Sequence, residues 1–163
     1  MSLSASGLPT GVTALFGTNP ATSTSVLTLT ASGTATTGTV TVTITGISGA
    51  LTHTTTVTLK VNAAAAPNFT LSASPTSISV TRGNHGTSTI TLNKTNGFSG
   101  SVTLSATGMG TGVTASFGTN PATSTSVVTF TAASGARTGL FTITIHGVSG
   151  ALTHTTTISL RIR

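Results

Sequence analysis

The sequence predicts an all-β chain of tandem antiparallel β-sandwiches, the first lacking its N-terminal strands. Three observations carry this. Residues 3–62 and 104–163 align without a gap at an offset of 101, with forty of sixty positions identical. Within each copy the apolar residues recur every second position, as in Thr39-Val40-Thr41-Val42-Thr43-Ile44-Thr45, which puts one strand face on a core and the other in water. Gly, Pro, Asn and Ser turn signals interrupt these runs every ~8–12 residues, the spacing of an antiparallel sandwich.

The duplication defines a module. Gly11-Val12-Thr13-Ala14 returns as Gly112-Val113-Thr114-Ala115, and Phe16 through Val26 returns as Phe117 through Val127. Ser48 through Thr56 returns as Ser149 through Thr157. The stretch 68–103 has no counterpart ahead of the first copy. The expected layout is therefore a partial sandwich at 1–62, a linker Ala63-Ala64-Ala65-Ala66-Pro67, and a complete sandwich at 68–163. The first copy lacks two or three strands.

In the second copy, strands are expected near 68–73, 77–81, 87–93, 100–106, 113–117, 125–132, 140–146 and 152–162. Val, Ile and Thr fit a pleated surface and favour this state. Their alternation predicts an inner face of Phe69, Leu71, Ile78, Val80, Ile90, Leu92, Val102, Leu104, Val113, Phe117, Val128, Phe130, Phe141, Ile143, Ile145, Ile158, Leu160 and Ile162. Seven or eight short strands of this kind make an immunoglobulin-like sandwich. The chain has no Trp or Cys, so the antibody core of paired Cys around Trp is excluded. The apolar face also argues against a disordered Thr/Ser stalk.

The run Pro67-Asn68-Phe69-Thr70-Leu71-Ser72, then Gly97-Phe98-Ser99-Gly100-Ser101-Val102-Thr103-Leu104, then Gly112-Val113-Thr114-Ala115-Ser116-Phe117, resembles the tandem Ig-like repeats of large secreted bacterial proteins. Such repeats serve as spacers or accessory modules beside a protease, a carbohydrate-active enzyme or an adhesin head. The resemblance implies an extracellular or cell-surface location and a structural role. Where that family commonly carries Asp in the first strand, this chain has Asn68.

Composition removes much chemistry. The chain holds 42 Thr and 21 Ser but no Asp, Glu, Cys, Trp or Tyr. Without carboxylates there is no acid/base pair for glycoside hydrolysis, no acidic calcium cage and no Ser-His-Asp triad. Without Cys there is no disulfide or thiolate metal site. No enzyme activity, cofactor or metal is expected. The net charge of +6 comes from scattered residues, and the six Phe are not interleaved with basic clusters. Nucleic-acid binding is therefore not expected. No apolar run reaches the ~18–20 residues of a membrane span. The first residues have neither a basic start nor an apolar core, so a secretion signal is expected outside this stretch.

The remaining candidates are few. Lys60, Arg161 and Arg163 form a basic strand end that could meet an anionic polysaccharide or surface. That reading is the alternative function: a carbohydrate- or surface-binding accessory module. His53 and His154 share one repeat position with inward parity and read as rim histidines satisfied by backbone groups. His85 is placed in a turn and His146 on the surface. An internal Lys–Asn isopeptide bond needs a carboxyl to move protons, and none exists. Leu8-Pro9-Thr10-Gly11 reads as a turn. Rows of outward Thr, such as Thr41, Thr43, Thr54 and Thr56, read as solvent-face residues.

A sandwich short of its leading strands exposes unpaired backbone and one side of its core. The expected partners are other copies of the chain or neighbouring repeats, joined by strand addition into a fibre or stalk. The lack of carboxylates also sets the acid behaviour. Acid unfolding works mainly by protonating native carboxylates, and here only four His and the terminal carboxyl titrate below neutrality. Thermal melts should show nearly constant stability from about pH 2 to 6; a steep acid loss in that window contradicts the reading.

Overall fold

A computed structural model describes all of residues 1–163. The chain is all-β and divides into two compact units, Met1–Ala65 and Ala66–Arg163. The first unit holds β1 (Ser2–Ser6), β2 (Val12–Phe16), β3 (Leu27–Ala31), β4 (Gly38–Ser48) and β5 (Leu51–Val61). The second holds β6 (Asn68–Ser74), β7 (Ser77–Val80), β8 (His85–Thr95), β9 (Thr103–Thr107), β10 (Val113–Phe117), β11 (Thr125–Ala132), β12 (Gly139–Ser149) and β13 (Leu152–Ile162).

The second unit is a complete sandwich. One sheet runs β10-β11-β8-β6 and the other β7-β13-β12-β9. Every pairing is antiparallel except β7 with β13. The first unit repeats part of this frame, with β1-β4-β5 in one sheet and β2-β3 in the other. The hairpin registers coincide: Gly38 faces Val61 as Gly139 faces Ile162, and Ser48 faces Leu51 as Ser149 faces Leu152. The first unit thus has counterparts of β9 to β13 and none of β6, β7 or β8.

Alternation fixed the elements. The strand from Gly139 to Ser149 is longer than expected because β13 pairs with it residue for residue to the turn. The turn at Thr81–Asn84 closes with Asn84 N–H donating to Thr81 O, and His85 opens β8 rather than sitting in the turn. The core of the second unit contains every inner-face residue expected from the sequence. All are buried except Phe117 and Phe141, which are partly buried against it. Ala122, Ala132 and Ala136 complete it. Outward Thr residues meet across the hairpin, Thr41 with Thr58, Thr43 with Thr56 and Thr45 with Thr54.

Both units tie their sheets together in the same way. Val102 bridges Ala122 with two hydrogen bonds of 2.8 Å, and Asn120 then clamps Leu104 N–H and C=O through its side-chain amide, at 2.8 Å each. In the first unit Met1 takes the place of Val102. Its amino group donates to Ala21 O at 3.0 Å, its carbonyl accepts from Ala21 N at 2.8 Å, and Asn19 clamps Leu3 at 2.8 Å. An Asn side-chain amide can present one N–H and its C=O in the geometry of a peptide, so it substitutes for a strand residue. Gly112 and Gly11 are required where the chain turns with φ near +80°, because a Cβ would sit 2.8 Å from the Cα of Ala136 or Ala35.

Candidate functional site

The two units share one frame but not one cover, so the second shows which strands the first lacks. Along β13, the outer edge pairs with β7: Ser159 N–H donates to Thr76 O, and Arg163 N–H to Val80 O. Along β11, the outer edge pairs with β8 from Thr125 to Thr131. The equivalent edges of β5 and β3 have no strand beside them. As a consequence β3 starts at Leu27, whereas its counterpart starts at Thr125, the equivalent of Thr24.

Burial follows the same division. Val57 is 39% exposed and its counterpart Ile158 is 0% exposed. Leu59, Ile44, Leu27 and Leu29 are half-buried, whereas Leu160, Ile145, Val128 and Phe130 are fully buried. Only Val12, Ala21, Val42 and Val61 are buried apolar residues in the first unit. The inner face of β1-β4-β5 is therefore only partly covered, closed at Val42 and Val61 and open at Ile44, Val57 and Leu59, and this face with the two free edges of the unit is the candidate site.

One hollow lies on this face and a second lies at the end of the unit. The first, of about 190 Å³, is lined by Met1, Leu3, Ile44, Gly46, His53, Thr54 and Thr55. In the second unit, β6 fills the matching place. Phe69 is fully buried, with its ring 4.8 Å from His154 in an edge-on contact and 5.1 Å from Phe98. His154 Nε2 lies 2.8 Å from Asn68 Oδ1, an oxygen that also accepts from Phe69 N–H. Since Oδ1 only accepts, Nε2 carries the proton. Leu71 and Val102 crowd Gly147 so closely that a Cβ there would lie 2.8 and 2.9 Å from them. His53 and Gly46 are the counterparts of His154 and Gly147 and both line the hollow.

The second hollow, of about 490 Å³, lies at Ala31–Ala35, Thr37 and Asn62–Ala64. The matching place in the second unit holds the turn between β7 and β8. There Arg82 Nε donates to Ala136 O at 2.7 Å, Gly83 N–H to Ala132 O, and Ala132 N–H to Asn84 O. Ala132 and Ala136 are buried by this turn, whereas Ala31 is exposed and Ala35 half-buried.

The histidine expectation needs a correction. His154 is a rim residue, but its partner is the Asn68 side chain rather than backbone, and His53, without that partner, is exposed. His146 is half-buried and shares an exposed hydrogen bond with Thr107 Oγ1 at 3.0 Å, which agrees with a surface position. Lys60 is exposed on β5, and Arg161, its counterpart, is exposed on β13, with Arg163 two residues further. Lys60 thus belongs to one unit and the two Arg to the other. Alternation gave the inner face but not the hollows, because the Arg82–Ala136 and Asn68–His154 contacts join residues 54 and 86 positions apart.

No family model and no curated protein matches the chain. Among solved structures it is similar to domains 4 and 5 of the S-layer protein SbsC, at 22% identity and a TM-score of 0.48 over 77% of this chain and 65% of that one. It is also similar to an endo-fucoidan hydrolase of glycoside hydrolase family 107, at 13% identity and a TM-score of 0.39 over 99% and 23%. A chimeric titin Z1Z2 tandem matches at 15% identity and a TM-score of 0.39 over 77% and 65%. The chain thus spans under two thirds of each of these structures.

Paired truncations test the open face. Ile158→Ala leaves a cavity in a closed core and should cost about 2–5 kcal/mol in the second unit. Val57→Ala removes a side chain that is already 39% exposed and should cost less, about 1 kcal/mol. Urea melts read by unit-specific NMR signals separate the two, and equal losses would show that the first unit is closed.

Proposed function

We propose that the chain is a non-catalytic structural module of an extracellular or cell-surface bacterial protein, and that it associates into a fibre or stalk through strand complementation of its first unit. The observation that carries this reading is the unequal burial of duplicated residues, with Val57 39% exposed where Ile158 is fully buried. Free strand edges beside an apolar face recruit further strands. The first unit has one side-chain charge outside histidine, Lys60, so little like-charge repulsion opposes association. The extracellular assignment rests on the resemblance of the repeat pattern to secreted tandem repeats.

The numbers of strands limit how copies can join. Each chain has two frames and one set of β6, β7 and β8. Passing that set from one copy to another opens the second unit as it closes the first, so simple exchange gains nothing. Free chains therefore associate by strand addition along the open edges of β3 and β5, two edges per chain that let the assembly extend, whereas full closure needs the leading strands of a further repeat.

An extended chain tests this, with residues 66–101 copied directly ahead of Met1, the position equivalent to Val102. The 163-residue chain should sediment as concentration-dependent species heavier than a monomer. The extended chain should run as a monomer, and its first unit should melt about 10 °C or more higher, as expected for a few kcal/mol in a domain of this size. A 163-residue chain that stays monomeric at high concentration, with no gain on extension, overturns the proposal.

A further inference from the structure

We infer that the inner face of the first unit is a selective receptor for one kind of strand segment: the leading strands of another repeat, carrying Asn-Phe-x-Leu followed by an Arg-Gly-Asn turn. The inference rests on the strand-complementation reading above and names the occupant and the residues that choose it. The two hollows of the first unit lie where the second unit holds two separate parts of one segment, Asn68–Leu71 and Arg82–Asn84. Both hollows follow from the one absence of β6, β7 and β8 in the first unit.

The chemistry at each end is specific. At the smaller hollow, Met1 lies over Gly46, its Sδ 2.7 Å from where a Cβ would stand, as Val102 lies over Gly147, but no counterpart of Leu71 is beside it. A hollow of about 190 Å³ accepts one phenyl ring, since a 150 Å³ apolar cavity holds benzene. His53 offers its edge to that ring and an N–H to the amide oxygen one residue earlier, as His154 does for Phe69 and Asn68. At the larger hollow, the carbonyl of Ala35 is the counterpart of the one that accepts from Arg82. The first unit contains no Phe near its own hollow and no Arg, so nothing within it supplies these groups. His53 is thus the specificity-determining residue of this receptor.

The probe is a synthetic, fluorescently labelled segment of residues 66–101, titrated into the full 163-residue chain. Saturable binding is expected, with ring-current shifts of the His53 ring protons in NMR spectra and none at His154. A segment carrying Phe69→Ala should bind at least about 100-fold more weakly, the scale of a lost buried aromatic. Replacing His53→Ala in the chain, an exposed position that leaves the fold intact, should weaken the normal segment about tenfold. If the Phe69→Ala segment binds as tightly as the normal one, the selectivity inferred here is wrong although strand uptake stands. Binding of the normal segment with no shift at His53 overturns it too. No binding of any segment also overturns it, and the melt of the extended chain then decides whether strand complementation fails with it.

Discussion

Backbone amides at a sheet edge need partners, and apolar side chains on a sheet's inner face need a cover. In the second unit a single leading segment supplies both. β7 occupies the edge of β13, β8 the edge of β11, and β6 lays Phe69 and Leu71 across the inner face. The same segment carries the turn whose Arg82 closes the far end. Most of what separates a sealed sandwich from an open one in this chain traces to these strands.

The duplication makes the comparison an internal control. Leu59 and Leu160 are the same residue type in the same register, yet one is half-buried and the other fully buried. His53 and His154 sit in identical Leu-Thr-His-Thr-Thr-Thr contexts, yet one is exposed and the other is held by Asn68 and Phe69. Local sequence cannot account for these differences, because it is shared. The cause is long-range cover, and cover is also what a partner can provide. The absence of carboxylates and the scarcity of charge in the first unit leave few devices to keep such a face apart from others.

Much of the architecture was legible in the residues. Period-two alternation of Thr with Val and Ile located the strands and the inner face from Phe69 to Ile162, and only Phe117 and Phe141 lie nearer the surface than their parity suggested. The gapless repeat also showed which strands the first copy lacks. The site was legible only in outline. Exposed edges follow from counting strands, but the two hollows depend on where Arg82 and Phe69 reach, and such contacts leave no trace in spacing. The histidine positions were recognisable as inward by parity, yet their unequal fates depend on an Asn and a Phe far away in the chain.

The account turns on whether the first unit lacks in solution the cover that the second unit has. Amide hydrogen exchange of the free chain measures this at matched positions. Ser159 N–H donates to Thr76 O across the β7 edge, and Thr58 N–H is its counterpart on the open edge of β5. At concentrations low enough to hold the chain monomeric, Thr58 should exchange orders of magnitude faster than Ser159. Equal protection of the two amides would mean that the first unit closes itself, and the account would be wrong.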